Sequence, residues 1–290
     1  MESDVEPGAE SGADSGADRS MDGIRGLLRR ARGLATRVGL AAGLAGGRCP
    51  GCGRTVAETG HAPSGPDAAP SGPAPDAPAA RPHGLCPACA AALAPRPGGF
   101  CPSCGAVVGL PGHAPEPCGE CLTEPPPWTG FACHGAYRGL LRELILGFKF
   151  AEGLGRVRLL QDLAWAALLR AGLPAPDLLA PVPLHPRRLR WRGYNQSLEL
   201  ARGLALRLDR PAEPRALVRL RHTVPQSRLS AAERLVNLKG AFEADEGLVR
   251  GRAVLLVDDV STTGSTLREC AEALNAAGAA RVDVLVLARA

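Results

Sequence analysis

The stretch "VLLVDDVSTTGST", residues 254–266, decides the fold that this chain is expected to adopt. Its first four residues are apolar and predict a buried strand, and the residues that follow the stretch predict a helix. The polar turn predicted between them begins with Asp258 and Asp259 and continues with five hydroxyl side chains around Gly264. Ligands of an open parallel sheet bind beyond the carboxyl ends of its strands. We therefore predict a ligand site at this turn.

The hydroxyl-rich part of the turn is suited to a phosphate monoester. Consecutive backbone N–H groups and the N-terminus of a helix favour a dianion, and a glycine lets the backbone approach it closely. The candidate phosphate-binding residues are Thr262, Thr263, Gly264, Ser265 and Thr266. The two carboxylates suit sugar hydroxyls or the waters of a Mg²⁺ ion. A sugar phosphate with vicinal hydroxyls would satisfy both parts, and the absence of lysine from the turn argues against a P-loop.

The rest of the C-terminal half alternates strand and helix patterns. Strands are predicted over 131–137, 177–184, 252–257 and 282–288, and helices over 138–148, 157–168, 196–208 and 267–277. Alternation of this kind is typical of a mostly parallel, three-layer α/β fold.

A second polar constellation lies in "PVPLHPRRLRWRGYNQS", residues 181–197, directly after a predicted strand. It contains four arginines and two aromatic side chains: Arg187, Arg188, Arg190, Arg192, Trp191 and Tyr194. Arginine forks suit pyrophosphate oxygens, and the aromatic rings permit base stacking on single-stranded nucleic acid. A solvated basic loop without a ligand is the alternative.

Eight of the ten cysteines form four C-x-x-C pairs: Cys49/Cys52, Cys86/Cys89, Cys101/Cys104 and Cys118/Cys121. Each pair can direct two sulfurs at one tetrahedral ion, so four pairs predict two structural Zn²⁺ sites. Sequential pairing, first with second and third with fourth, is the favoured arrangement, and a crossed pairing is the alternative. Redox-active disulfides are a weaker alternative, because no pair has a thioredoxin-like context.

Charge and composition divide the chain. We predict a disordered acidic tail (1–20), an amphipathic helix (21–47), a cysteine module (48–125) with a low-complexity insertion (57–84), and an α/β domain (130–290). The last of these holds 24 basic and 16 acidic residues. That surplus suits a polyanionic ligand, although arginine enrichment by genome composition is the alternative. No apolar run approaches the ~20 residues of a membrane helix, so we expect a soluble, cytoplasmic protein without a membrane span.

The stretch "VLLVDDVSTTGST" resembles the signature of the type I phosphoribosyltransferases, which bind phosphoribosyl pyrophosphate (PRPP) as its magnesium complex. The resemblance implies that Asp258 and Asp259 are the catalytic pair and hold the ribose hydroxyls, directly or through metal-bound water. It implies that the hydroxyl-rich loop cradles the 5′-phosphate and that the four arginines border the pyrophosphate. It also implies a mobile flap within residues 219–242, with Arg221 and Gln226 as its polar residues.

The order of motifs along residues 48–290 resembles the ComF family, bacterial proteins linked to DNA uptake in competent cells. The implied fold is a type I phosphoribosyltransferase-like parallel sheet flanked by helices, preceded by a small double zinc ribbon of four-cysteine sites.

Two functions are compatible with this resemblance. One is a phosphoribosyltransferase-like protein that binds Mg²⁺–PRPP or a related phosphoribosyl ligand, with a role in DNA uptake or nucleotide salvage. Whether it transfers the pentosyl group, and to which acceptor, stays open at this point. The other is a non-catalytic zinc-ribbon adaptor that binds single-stranded DNA or a DNA-translocating protein through its basic surface.

Overall fold

The computed structural model describes residues 47–56, 84–149, 155–220 and 240–290. The predictions for the acidic tail, the amphipathic helix except Gly47, the low-complexity insertion except Gly84, and the flap residues Arg221 and Gln226 lie outside the described residues. Among the helices of the described ranges, none combines the length and the apolarity that crossing a bilayer requires.

The described strands and helices alternate along most of the C-terminal half of the chain. In chain order they are β1 (Gly47–Arg48), β2 (Thr55–Val56), α1 (Pro87–Ala92), α2 (Gly119–Thr123), β3 (Gly130–Ala136), α3 (Gly139–Lys149), α4 (Val157–Ala171), β4 (Leu178–Pro181), α5 (Pro186–Arg192), α6 (Gln196–Leu208), β5 (Leu217–Arg219), β6 (Phe242–Ala244), α7 (Glu246–Val249), β7 (Ala253–Ser261), α8 (Ser265–Ala276) and β8 (Arg281–Arg289). β1 pairs with β2 and β5 pairs with β6, both antiparallel.

A four-stranded parallel sheet in the order β3-β8-β7-β4 forms the centre of the larger compact unit. Helices α3, α4 and α6 cover one face, and α8 covers the other with the β5–β6 pair. Because both faces are covered, the central strands are almost continuously apolar, as in β8 from Val282 to Ala288. The prediction of a three-layer parallel α/β fold is confirmed.

Helix α3 illustrates how the sequence pattern determines the packing. Leu141, Leu144, Ile145 and Phe148 recur at helical spacing and are all buried against the sheet. This apolar stripe fixes the rotation of the helix, and its last residue, Lys149, is thereby brought to the carboxyl edge of the sheet.

Strand β7 is longer than the sequence predicts, so the two aspartates do not lie in a turn. Their backbone continues the ladder with β8, in which Asp258 pairs with Val286 and Ser261 with Arg289. The long strand β8 supplies partners for Asp258, Val260 and Ser261, which is why the polar side chains do not end β7. Successive strand residues point to opposite faces, so the two carboxylates leave β7 in different directions.

The arginine-rich segment after β4 is also different from the prediction. It forms helix α5 (Pro186–Arg192) rather than a loop, with a proline in its first turn, where no intrahelical donor is lost. The His185 side chain caps it by accepting the N–H of Arg187 at 3.1 Å, and Gly193 ends it with a φ of 79°. As a consequence, the four arginines are distributed around a helix.

Candidate functional site

The candidate site lies at the carboxyl edge of the sheet, beyond β7 and β4. The hydroxyl loop (residues 261–266) connects β7 to α8, and helix α5 follows the neighbouring strand β4. The two segments that the sequence singles out therefore follow adjacent strands, as the fold rule for open α/β sheets requires.

The hydroxyl loop is tightly built. Gly264 adopts a φ of 80°, which favours glycine, and its carbonyl accepts the N–H of Arg268 in the first turn of α8. The hydroxyls of Thr263 and Ser265 lie 2.9 Å apart. The first N–H groups of a helix have no intrahelical acceptor, and the helix dipole is positive there. The loop and the start of α8 can therefore bind a phosphate group.

The two carboxylates have different partners. Asp259 Oδ2 lies 3.2 Å from Lys149 Nζ at the end of α3. Asp258 Oδ1 accepts hydrogen bonds from the Ser197 hydroxyl at 2.8 Å and from the Asp259 N–H at 2.9 Å. Three elements, α3, α6 and β7, thus meet at this carboxylate pair.

The surroundings of Asp258 change the pKa of its carboxyl. Burial raises the pKa of Asp258 to about 7, and the neighbouring charge of Asp259 adds to the rise. The Ser197 hydroxyl, the Asp259 amide and Lys149 act in the opposite direction. A carboxyl whose pKa lies near neutrality, in a polar edge of the sheet, is typical of functional sites.

Lys149 and Ser197 are site residues that the sequence reasoning missed. The sequence contained a signal for Lys149, because only two of the 34 lysine and arginine residues of the chain are lysines. Ser197 carried no comparable signal. Its position depends on Asn195, whose side chain accepts the Ser197 N–H at 3.0 Å and donates to the carbonyl of Val182 at 3.0 Å.

Tyr194 fastens the segment before α6 to the end of α3. Its hydroxyl donates to the carbonyl of Phe148, the residue before Lys149, and the two rings pack 5.7 Å apart. The hydroxyl and the ring of Tyr194 therefore both contact the end of α3.

The arginines of α5 divide into two groups. Arg188 and Arg192, one turn apart on the same side of the helix, are partly buried. The guanidinium of Arg192 donates to the Gln196 side chain at 3.1 Å, next to Ser197. Arg187 and Arg190 are exposed to solvent. The structure therefore leaves two of the four predicted arginines exposed and partly buries the other two, of which Arg192 contacts Gln196 beside Ser197.

Arg219 at the end of β5 is a further basic residue near the site. Burial lowers its pKa, the charge of Arg188 acts in the same direction, and Asp258 acts against both. Its guanidinium lies over the Phe242 ring, 5.2 Å from the centroid. The sequence offered no reason to separate this arginine from its neighbours.

The eight paired cysteines form two four-cysteine clusters. In each cluster, all four sulfurs lie within 4.8 Å of one another: Cys49, Cys52, Cys86 and Cys89 form the first, and Cys101, Cys104, Cys118 and Cys121 form the second. The sequential pairing is confirmed.

The sulfur spacing fits a tetrahedral metal ion. The closest sulfurs of different pairs are 3.8 Å apart for Cys52 and Cys86, and 3.7 Å apart for Cys104 and Cys118. Zn–S bonds of about 2.3 Å in a tetrahedron require about 3.8 Å. Burial raises the pKa of Cys49, but hydrogen bonds from the backbone N–H groups of Cys86, Cys52 and Gly51 outweigh it and lower that pKa to about 6. Each cluster can therefore hold a metal ion.

Comparisons with known proteins agree with this architecture. The profile of the phosphoribosyl transferase domain matches residues 195–290. The DNA utilization protein YhgH of Salmonella typhi is 43% identical over 188 residues, which are 62% of this chain and 82% of that protein. Competence protein F of Haemophilus influenzae is 39% identical over 179 residues, 60% of this chain and 78% of that protein.

A solved structure of a glutamine PRPP amidotransferase from B. subtilis, complexed with ADP and GMP, is also similar. It is 25% identical to this chain, the match covers 46% of this chain and 27% of that chain, and the TM-score is 0.33.

The parallel sheet and the matched profile define a protein with a phosphoribosyltransferase domain. Two four-cysteine clusters precede that domain in the chain. With this organisation and the extent of its identity to YhgH and Competence protein F, the chain belongs to the ComF family.

Proposed function

We propose that this protein binds Mg²⁺–PRPP, or a related phosphoribosyl ligand, at the carboxyl edge of its sheet. The observation that carries the proposal is the junction of the carboxylate pair, Asp258 and Asp259, with the hydroxyl loop and the N-terminus of α8. A ribose 5-phosphate needs acceptors for its hydroxyls and donors for its phosphate, and this junction offers both within one strand–loop–helix segment.

The individual roles follow from the chemistry of the side chains. Asp258 and Asp259 accept hydrogen bonds from the ribose hydroxyls, and the hydroxyl loop donates to the 5′-phosphate. Arg188 and Arg192, the two partly buried arginines of α5, border the pyrophosphate. Carboxylate oxygens are ligands that Mg²⁺ accepts in proteins, so the pair fits this ion, which would neutralise pyrophosphate charge. Lys149, at the end of α3, balances the charge of Asp259 through their ion pair.

Transfer of the pentosyl group is a further step, in which a nucleophile displaces pyrophosphate at C1. Positioning and charge stabilisation would drive it without a covalent intermediate. We propose binding alone, because the carboxylate pair and the hydroxyl loop suit the hydroxyls and the phosphates of such a ligand, whereas no acceptor follows from the described residues.

We also propose that residues 48–125 form a double zinc ribbon ahead of a phosphoribosyltransferase-like domain at 130–290. Eight thiolates in two tetrahedral sets are a donor set that Zn²⁺ prefers. The relatives named for DNA utilization and competence support a role of this chain in DNA uptake.

The direct test is a calorimetric titration of the full-length protein with PRPP in the presence of Mg²⁺. We expect saturable binding of one ligand per chain. Absence of binding by the wild-type protein would refute the proposal. Pyrophosphate release in the presence of a panel of nitrogen heterocycles would reveal transfer in addition to binding.

The raised pKa of Asp258 predicts a pH-dependent affinity for PRPP. Its carboxyl accepts hydrogen bonds fully only when ionised, so the dissociation constant should fall as the pH rises through about 7. For one group with this pKa, the ionised fraction changes about tenfold between pH 6 and pH 8. The contribution of Asp258 to the free energy of unfolding depends on pH in the opposite direction. It is fully present below the pKa of the carboxyl in the unfolded chain, and it is lost as the pH rises through the raised pKa in the folded protein.

Calorimetric titrations across this pH range would measure the effect. The phosphates of PRPP also titrate, so Asp258→Asn serves as the control that retains only their contribution. Parallel profiles for the wild type and this variant would contradict the assignment.

A second candidate function, binding of single-stranded DNA, is favoured by the outer face of α5. Trp191 is 69% exposed there, between the exposed Arg190 and the partly buried Arg192. An exposed indole among arginines can stack on an unpaired base while the cations meet the phosphates.

We predict that Trp191→Ala weakens binding of an oligothymidylate about tenfold, because stacking on one base contributes roughly 1–3 kcal/mol. Affinity for Mg²⁺–PRPP should stay unchanged. Leu206→Ala, at another highly exposed apolar residue on α6, is the matched control. Fluorescence anisotropy with a labelled oligonucleotide measures the effect, and equal losses in both variants would argue against stacking at α5.

A further inference from the structure

The second cysteine cluster lies directly beside the hydroxyl loop. A small cavity of about 30 Å³ is lined by Cys104 and Cys121 from the cluster and by Thr263 and Gly264 from the loop. Trp128 lines it as well, and its indole N–H donates to the carbonyl of Ser103, inside the third C-x-x-C pair, at 2.7 Å. The cluster and the loop are thus separated by little more than one layer of side chains.

Arg289, the last residue of β8, connects the cluster to the start of the hydroxyl loop. Its Nε donates to the carbonyl of Cys104 at 3.2 Å, and its Nη1 lies 3.4 Å from the carbonyl of Ser261. The same Nη1 donates to the carbonyl of Ala290 at 2.7 Å, and the Ala290 N–H donates to Ser261 at 2.9 Å. One guanidinium therefore holds a cluster cysteine and the residue that opens the loop.

Arg268 makes a corresponding connection at the end of the loop. It lies in the first turn of α8, where its N–H donates to Gly264. Its guanidinium forms an ion pair with Glu124 at 3.2 Å and donates to the carbonyls of Glu124 and Pro125, each at 3.3 Å. Glu124 follows helix α2, which contains Cys121. Both ends of the loop are thus fastened to the second cluster.

The first cluster packs in a different place. Leu93, which follows its helix α1, is buried in the core on the α3 side, and its carbonyl lies 2.9 Å from the His134 ring nitrogen. The first cluster therefore packs against the core on the α3 side, whereas the second lies beside the hydroxyl loop, although each consists of four cysteines.

We propose that metal loading of the second cluster sets the affinity of the hydroxyl loop for phosphate, with Arg289 and Arg268 as positioning residues. The proposal rests on phosphate binding by the loop, as proposed above. Four thiolates stay together only around a cation, so loss of the ion would release Cys104 and the segment before Glu124. The loop would then have to be ordered by the ligand, at a cost in affinity.

Calorimetric titration with ribose 5-phosphate tests the coupling in full-length protein. Cys118→Ser in the second cluster should weaken binding about tenfold, within the usual range of coupling between sites. Cys86→Ser in the first cluster is the matched control, with the same loss of one metal ion and less than twofold change in affinity. Equal effects of the two variants would overturn the proposal.

Arg289→Met keeps all eight cysteines of the two clusters. This variant therefore distinguishes a loss of coupling between the cluster and the loop from a loss of the fold. We expect two metal ions per chain by elemental analysis and weaker binding of ribose 5-phosphate, with Arg289→Lys in between. Adding Cys118→Ser to Arg289→Met should cause less than the tenfold loss seen in the wild-type background, because only the connection through Arg268 remains to be broken. Additive losses in the double variant would contradict a coupling through Arg289.

Hydrogen exchange of the ligand-free protein distinguishes failure of this inference from failure of the proposed function. Amides of residues 262–266 should exchange faster in Cys118→Ser than in Cys86→Ser. Faster exchange without any binding of ribose 5-phosphate by the wild type would refute phosphate binding and leave the connection intact. Unchanged exchange would refute the connection, whatever the ligand.

Discussion

Replacing both carboxylates, Asp258→Asn with Asp259→Asn, should weaken binding of Mg²⁺–PRPP by about 100-fold or more. Hydrogen bonds to a charged group contribute roughly 1.5–3 kcal/mol each, and two of them correspond to at least two decades in the dissociation constant. The amide replacements keep the size of the side chains. Ser197 can still donate to an amide oxygen at position 258, so the hydrogen bond to α6 can be preserved. A loss of affinity for Mg²⁺–PRPP would therefore result from the removal of the two negative charges at the ligand site.

The matched control is Asp177→Asn at the opposite edge of the sheet. Asp177 is exposed and accepts the N–H of Ala253 at 2.8 Å, at the start of β7, the strand that contains the carboxylate pair. An asparagine can accept the same hydrogen bond, so this variant should bind PRPP as the wild type does. Comparable affinities of the control and the double variant would contradict a role of the pair in binding, and circular dichroism would verify that both variants are folded.

The sheet was predictable because its signal is local and strong. The run from Val254 to Val257 is apolar throughout, and the closing strand β8 is apolar from Val284 to Ala288. Burial on both faces explains such a pattern. The end of β7 was not predictable in the same way. Asp258 and Asp259 look like the start of a turn in the sequence, and only pairing with the long strand β8 keeps them extended.

The carboxylate pair and the hydroxyl loop could be assigned from the sequence because they lie within one contiguous motif. The residues that complete the surroundings come from distant segments: Lys149 from α3, Ser197 from α6 and Arg219 from β5. Their proximity depends on tertiary packing, such as the hydrogen bond from Tyr194 to the backbone before Lys149. The C-x-x-C spacing likewise predicted two sites, but the pairing required the fold.

The metal content gives the other large expected effect, because structural zinc contributes on the order of 10 kcal/mol to the folding of small metal-binding modules. We expect two zinc ions per chain by elemental analysis. Cys49→Ser with Cys86→Ser should lose one ion, since both belong to the first cluster, whereas Cys49→Ser with Cys101→Ser should lose two. Each lost ion should lower the melting temperature by roughly 20 °C or more, given about 2–4 °C per kcal/mol in a chain of this size.

Cys133→Ser provides the control for these variants. Cys133 belongs to neither cluster and lies in β3, where its thiol is directed at the carbonyl of Gly135. It should retain two zinc ions, so a loss there would reveal unspecific damage. The same stoichiometry in both double variants would contradict two separate sites. A wild-type protein that folds with far less than two equivalents of zinc would refute the metal assignment, because eight converging thiols would then have to be stable without a cation.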